Sequence, residues 1–590
     1  MIADGLLSSD HDAAHVDRCP DAWTPPDTGA RVVTGTSASP GLVIAPVFQY
    51  RSELVAVEDI GGNPEVERAL FDQVLERADA ELQRMSDDAE ACPLPVQAEI
   101  FDVHRALLCD PDMLLEVRGL IENGHAASWS WQQVIESRVA RLRRARNRRL
   151  AARATDLLDI GQRVLRLFAG AVRHPFELPP GEWILVADDL TPSDTAHINP
   201  KNVVGLCTSS GGPTSHTAIL ARARGLPTVV AAKETVLALP QGTLAVLDGS
   251  AGRMYPEPGD ELLASAREFR AARARKQARA DAERFRPAVL TDGHRVEIAA
   301  NIGEASEAAT AIEAGAEGVG LLRTEFMFLC RETAPTEEEQ FLVYCEVIAA
   351  LGGLPLIIRT FDIGGDKVAP YLDLAPEVNP FLGVRGIRLS LRRPDVFRIQ
   401  LRALYRAAAT AKPGTVKIMF PMIATLEDLR SAKAAAEEVR AEVGAPACEF
   451  GIMVEVPSAV LMARELAREV AFLSIGTNDL TQYALAIDRE HPELGREADS
   501  LHPAVLRLID QTVRAAQSEG KWVGVCGGAA SDPIGAMLLT GLGVSELSIS
   551  IPSLATVKAC LRGYSSTELK TLARRALGCS TATEVRALSK

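Results

Sequence analysis

From Pro287 onward the chain alternates short apolar runs with longer amphipathic segments, and this rhythm constrains its fold more than any other feature. The apolar runs predict eight strands, Val296–Ile302, Gly318–Arg323, Pro355–Arg359, Val416–Pro421, Gly451–Val456, Phe472–Gly476, Trp522–Cys526 and Glu546–Ser550. Strands alternating with helices over roughly 300 residues match a closed (β/α)8 barrel. An open doubly wound sheet is the alternative, but no G-x-G-x-x-G stretch opens it. In such a barrel the active site is built at the C-terminal ends of the strands. Those ends read Asn301, Arg323-Thr324-Glu325, Arg359 with Asp362, Glu455, Asn478-Asp479 and Cys526.

The chemistry of these residue types converges. Arg323 and Arg359 each offer a rigid fork of donors for phosphate or carboxylate, and Arg489 could join them from a loop. Glu455 and Asp479 end consecutive predicted strands, so their carboxylates could share one hard cation. Magnesium suits that arrangement, because it takes one or two carboxylates and completes its octahedron with water and substrate phosphate. Singly, each residue has an ordinary role: a strand-end arginine pairs with a nearby glutamate, and Asp479 caps the next helix. Their gathering at one end of the barrel argues for a site. Cys526 has no strongly basic neighbour in sequence to make it a thiolate, which suits a proton donor that keeps its S–H.

A second candidate lies upstream, in Gly-Gly-Pro-Thr-Ser-His-Thr-Ala at 211–218. A strand end precedes it and a helix follows, placing His216 in the first helical turn. Free N–H groups and the positive dipole end favour a bound phosphoryl group there. The ordinary reading makes Thr214 or Ser215 a plain N-cap. Strand-like segments at 183–186, 203–207, 228–231 and 244–247, with Thr34–Tyr50, form a small α/β domain around it. Between them the period turns helical: Val66, Leu70, Val74, Ala78, Leu82 and Met85 recur on one face, and helices follow at 96–108, 112–123, 130–149 and 152–169.

The expected organisation is therefore multidomain α/β. A flexible N-terminal extension covers 1–33; the α/β domain that carries His216 covers 34–63 and 170–258; an inserted helical block 64–169; a linker helix 259–286; and the barrel 287–590. Glycine and proline suggest hinges near Gly170 and Pro256–Pro258. Charge disfavours nucleic acid as the partner, with 63 basic against 78 acidic residues and a net charge of −15. No apolar run approaches the roughly 18 residues of a membrane span, and the N-terminus carries no secretory pattern. Ten cysteines without a C-x-x-C pair argue against zinc sites and disulfides, and for a cytoplasmic chain. Seven arginines between Arg138 and Arg149 read as a solvated helix face, offset by Asp110, Asp112, Glu116, Asp156 and Asp159.

Longer motifs carry a resemblance. They are Ser-Pro-Gly at 39–41, Gly-Gly-Pro-Thr-Ser-His-Thr at 211–217, Leu-Leu-Arg-Thr-Glu-Phe at 321–326 and Arg-Thr-Phe-Asp-Ile-Gly-Gly-Asp-Lys at 359–367. Asn-Pro-Phe-Leu-Gly at 379–383 and Gly-Thr-Asn-Asp-Leu-Thr-Gln-Tyr at 476–483 complete the set. From about Thr34 to Arg562 the chain resembles enzyme I of the phosphoenolpyruvate:sugar phosphotransferase system. The resemblance implies that His216 is phosphorylated and that the helical block docks the phosphocarrier protein HPr. It implies that Arg323, Arg359, Asn478, Asp479 and Arg489 hold phosphoenolpyruvate, that Glu455 and Asp479 bind Mg2+, and that Cys526 protonates the enolate. It further implies a homodimer joined through the barrels.

Three departures stand out. This chain reads Cys526-Gly527-Gly528 where the family usually has Cys-Gly-Glu, an arginine-rich helix falls where acidic residues are expected, and the first thirty-odd residues have no counterpart. No room is expected ahead of Thr34 for a fused carrier or sensor domain. The expected activity is a magnesium-dependent phosphoenolpyruvate-protein phosphotransferase. A pyruvate-phosphate dikinase or phosphoenolpyruvate synthase would need a nucleotide-binding domain as well. A non-catalytic regulatory paralogue, which would bind a carrier and signal, is opposed by the intact His216, Arg323, Arg359, Glu455 and Asp479, although Gly528 favours it.

Overall fold

The N-terminal half is built on one eight-stranded sheet with a helical bundle inserted between its third and fourth strands. The computed structural model describes residues 23–588 apart from 51–56, 91–95, 145–147, 171–177, 192–193, 196–197, 200, 213–214, 330, 332, 366, 368, 373, 376, 490 and 492–493. In chain order the first elements are β1 (Val33–Thr34), β2 (Thr36–Ser39) and β3 (Leu42–Gln49). Five helices follow: α1 (Pro64–Glu90), α2 (Val96–Leu108), α3 (Pro111–Glu122), α4 (Ala127–Arg144) and α5 (Arg148–Phe168). Then come β4 (Trp183–Ala187), β5 (Val203–Thr208), α6 (His216–Ala223), β6 (Thr228–Val230), β7 (Leu244–Asp248), β8 (Arg253–Pro256) and α7 (Asp260–Ala282). The spatial order is β1-β8-β7-β3-β4-β5-β6-β2. Strands β3 to β6 are parallel neighbours, so the C-terminal ends of β4, β5 and β6 share one edge.

The inserted helices have their own core, in which Phe71, Val74, Ala78 and Leu82 of α1 meet Trp131, Ile135, Ile160 and Val164. This corrects the predicted stripe: Val66 and Leu70 are exposed. The larger ring of Phe71, 5.9 Å from Trp131, takes the core position instead. Of the basic run, Arg138 pairs with Glu116 at 2.7 Å and Asp110 at 3.3 Å, as expected. Asp156 and Asp159 instead flank the buried His104, at 3.5 and 3.8 Å. The side chains at 143–149 lie outside those described.

Two expectations near the sheet edge are corrected. In residues 23–33, read as part of a flexible extension, Trp23 and Val33 are packed: Trp23 is 7% exposed, edge-on to Tyr255 at 5.6 Å, and donates from Nε1 to Ser265 Oγ at 3.2 Å. Residues 1–22 lie outside the described ones. Strand β8, Arg-Met-Tyr-Pro, unforeseen because it lacks an apolar run and ends in the proline stretch read as a hinge, pairs antiparallel with β7 and β1. Its Tyr255 joins Trp23, Leu42 and Val246 in packing against Leu262 and Ala266 of α7. The segment proposed as a hinge at 256–258 therefore adjoins a packed corner.

The chain divides within α7, near residues 273 and 274, into two compact units. In the second unit β9 (Ala288–Val289) leads into β10 (Arg295–Ile302), β11 (Val319–Arg323), β12 (Leu356–Arg359) and β13 (Val416–Phe420). The circuit continues through β14 (Glu449–Val454), β15 (Phe472–Ile475), β16 (Trp522–Val525) and β17 (Glu546–Ile549). All neighbours from β10 to β17 pair in parallel, and β17 returns to β10, so the barrel is closed. Leu321, Ile357, Met419, Met453 and Phe472 fill its interior, with Trp522 stacked on Phe472 at 4.7 Å. A larger apolar layer lies between strands and surrounding helices. Among the described residues, no helix is long and apolar enough to cross a membrane.

Candidate active site

Strand ends deliver most of the sequence-predicted residues to one mouth of the barrel. Arg323 and Arg359 are the last residues of β11 and β12, Glu455 follows β14, and Cys526 follows β16. Asn478 and Asp479 lie in the first turn of helix Thr477–Leu485, directly after β15. Arg359 is buried, donates from Nη2 to Glu325 at 2.6 Å and sits 3.3 Å from Asp362. Lys367 reaches the same Glu325 oxygen at 2.6 Å. Arg489 Nη1 lies 3.5 Å from Asp479. The Arg323 side chain makes no hydrogen bond or ion pair with any described residue and lines an open cleft.

Sequence reasoning missed the residue that ties this mouth together. Arg385 is 1% exposed and grips Asp362 through Nε and Nη2, both at 3.0 Å, and Asp479 through Nη1 and Nη2 at 2.7 and 3.1 Å. It sits in a loop after β12, not on a strand, so strand periodicity gives no sign of it. The signal available was its place two residues after Asn-Pro-Phe-Leu-Gly. Gly364 lets the two loops meet. Its φ is +112°, and a Cβ there would lie 2.6 Å from Val384 O and 2.9 Å from Arg385 Cα.

Charge at the mouth is finely opposed. Burial works against ionisation of Glu325, but Arg359 and Lys367 outweigh it and hold the carboxyl below its usual range. Burial likewise opposes Asp362, and Arg359 and Arg385 more than compensate. Glu455 differs: burial, with Asp479 and Asp362 nearby, pushes it up to about 8. One of its oxygens accepts from the Met422 N–H at 2.7 Å. A cation shared by Glu455 and Asp479 would relieve this crowding of like charge. The donor set, two hard carboxylates beside an open cleft, fits Mg2+. Among the described residues no group of three or more His, Cys, Asp or Glu gathers as a cage of protein ligands alone. Arg385 reaches both Asp479 oxygens; Oδ1 keeps a lone pair, while Oδ2 also faces Arg489 Nη1 at 3.5 Å.

Cys526 is 3% exposed; Ser474 Oγ lies 3.3 Å from its Sγ, and burial pushes the thiol up to about 11. It therefore stays S–H at neutral pH. Asn301, predicted as part of the site, lines the same cleft as Arg323 and Asn478, and its amide donates to Cys526 O at 3.1 Å and Ser548 O at 3.0 Å. Asn478 Oδ1 accepts from the Gly528 N–H at 2.9 Å, which leaves the Asn478 NH2 as a donor. Arg323, Asn478, Gly527 and Gly528, with Glu307, Ser531 and Ser550, line a cleft of about 450 Å3.

In the first unit, His216 is the first residue of α6, as expected, and its side chain lies outside those described. Ser215 is the N-cap, its Oγ accepting from Ala218 N at 3.3 Å. The ordinary N-cap role and the placement of His216 thus hold together. The loop before it is sewn to its neighbours: Ser210 N donates to Asp188 O at 3.0 Å, and Ala231 N to Ser210 O at 3.2 Å.

Comparison with known proteins follows this architecture. Models of the PEP-utilising enzymes match three stretches: the N-terminal domain at 34–153, the mobile domain at 179–252 and the PEP-binding domain at 277–566. A multiphosphoryl transfer protein of Rhodobacter capsulatus is 50% identical over 578 residues, 96% of this chain and 70% of that protein. A phosphoenolpyruvate-protein phosphotransferase of Staphylococcus carnosus is 39% identical over 564 residues, 94% of this chain and 98% of that one. A solution structure of an Enzyme I protein (nEIt) matches at 30% identity and a TM-score of 0.35, over 41% of this chain and 99% of that chain. With relatives this similar over nearly the full length, the chain belongs to the PEP-utilising enzymes, within the family of phosphoenolpyruvate-protein phosphotransferases.

Proposed function

We propose that this chain transfers the phosphoryl group of phosphoenolpyruvate to His216 and then to a histidine of the phosphocarrier HPr, opening a sugar phosphotransferase relay. The observation that carries the reading is the barrel mouth, where five strand ends bring Arg323, Arg359, Glu455, Asn478, Asp479 and Cys526 together. Arg323, Arg359 and Arg489 grip the substrate's anionic groups, and the free Asn478 amide orients them. Glu455 and Asp479 would hold Mg2+, which when bound neutralises charge on the phosphoryl oxygens. Neutral His216 attacks phosphorus in line, and the bond to the enolate oxygen breaks. The arginines stabilise charge on the group in flight. The Cys526 S–H then gives its proton to the enolate carbon, producing pyruvate, and the thiolate regains a proton from solvent.

Phosphohistidine next passes its group to the carrier, docked on the helical block 64–169, once the α/β domain (34–63 and 170–258) has swung on the linker 259–286. Free thiols at Cys109, Cys207, Cys345, Cys448, Cys526, Cys560 and Cys579 support a cytoplasmic location. Homodimerisation through the barrel (287–590) rests on the family resemblance. The test is direct. Labelled phosphoenolpyruvate with Mg2+ should leave an acid-labile, base-stable adduct, lost in His216→Ala and after chelation. Label on serine, or undiminished label in His216→Ala, would refute the assignment.

A further inference from the structure

We propose that Lys233 contacts the phosphoryl group on His216 and balances its charge, an inference that rests on His216 being the acceptor. Parallel strands β4, β5 and β6 end side by side, and their loops are knitted together. Ala232 N donates to Thr208 O at 2.9 Å, and Lys233 N donates to Ser209 O at 3.1 Å. Lys233 thus sits against the same loop that leads to His216.

Its backbone is held where lysine does not belong. Lys233 has φ 64° and ψ 167°, a region that essentially only glycine enters freely, and Ala231 two residues earlier has φ 53°. Glycine would relax that turn without cost to its hydrogen bonds, so a lysine kept there points to its side chain. Lys233 is exposed, and its ammonium has no hydrogen bond or ion pair with any described residue. The neighbouring loop after β4 is acidic. Asp188 accepts from Ser209 Oγ, and Asp189 accepts from Leu190 N at 2.9 Å. Glu234 adds a further carboxylate next door. Arg222, at the far end of α6, is turned to Ala38 O at 3.0 Å. A phosphoryl dianion arriving among these carboxylates needs a cation, and Lys233 is an exposed one among the described residues that follow β4, β5 and β6.

The experiment uses the full chain with labelled phosphoenolpyruvate and Mg2+, reading phosphoenzyme at equilibrium and its loss after the donor is removed. A charge-assisted contact of this kind predicts about tenfold less phosphoenzyme in Lys233→Met. Lys233→Arg should stay within about threefold of the parent, because it keeps the charge. Lys233→Gly separates the two roles, since it relaxes the backbone while removing the ammonium, and it should fall like Lys233→Met. Parental phosphoenzyme levels in the Met or Gly variant would overturn the proposal, as would an Arg variant no better than Met. A parent chain that takes no label would remove the His216 assignment and this proposal with it, a result distinct from labelled parent and labelled variants alike.

Discussion

Arg385 holds two carboxylates of the barrel mouth, Asp362 and Asp479, with one guanidinium. Both Asp362 and Asp479 are buried, so removing the arginine strips each of its closest partner and leaves only Arg359, 3.3 Å from Asp362, and Arg489, 3.5 Å from Asp479. Breaking a buried pair of this kind costs about 3–5 kcal/mol. Arg385→Met should lose that much stability by chemical denaturation, and catalysis beyond it, because Asp479 would no longer be aimed. A loss below about 1 kcal/mol, the scale of a surface pair, would show that the network is weaker than its geometry suggests. Cys526 gives a kinetic counterpart. With its thiol pushed to about 11, it carries its proton across the neutral range. Cys526→Ala should slow pyruvate release while phosphoenolpyruvate affinity stays near normal. Equal loss of affinity would make the cysteine structural, and normal release would point to another donor.

Among elements, β17 makes a pH prediction. Glu546 is 6% exposed in that strand, its Oε1 has no partner among the described residues, and burial with Glu297 nearby pushes it up to about 8. Its folded value lies above the unfolded one, so the unfolded chain releases this proton first as pH rises. The stability it contributes is present in acid and is lost between the ordinary carboxyl range and about pH 8. Glu546→Gln should therefore raise Tm more at pH 8 than at pH 5. An equal shift at both would show that the carboxyl is ionised throughout. Loops behave differently from strands. Gly364→Ala would force a Cβ to 2.6 Å from Val384 O at a positive φ, and should cost stability and pull Arg385 from its two carboxylates.

The same contrast explains what could be read from sequence. Barrel strands such as β11 and β14 were visible because buried parallel strands are continuous apolar runs, and each observed strand lies within two residues of its expected bounds. Residues fixed at strand ends, Arg323, Arg359, Glu455 and Cys526, came with them. Arg385, Lys367 and Lys233 did not, because they reach their places through loops whose path depends on tertiary contact. Trp23 was missed for a similar reason: its partners, Tyr255 and Ser265, lie more than 230 residues away in sequence.

At the scale of the whole molecule, His216, the proposed acceptor, and the barrel mouth, the proposed substrate site, lie in different units, with the division inside α7 near residue 273. Leu262 and Ala266 belong to the core around Trp23 and Tyr255, so residues 1–273 should be markedly more stable than residues 1–258 by thermal unfolding. Equal Tm values would mean that this half of α7 adds nothing. The central claim, that His216 accepts in one unit what the barrel delivers from the other, is tested most directly by label transfer into the 1–273 fragment. Phosphorylated HPr should label it on His216, whereas phosphoenolpyruvate with Mg2+ should not, since every arginine and carboxylate of the barrel mouth is gone. Labelling of that fragment by phosphoenolpyruvate alone would contradict the account.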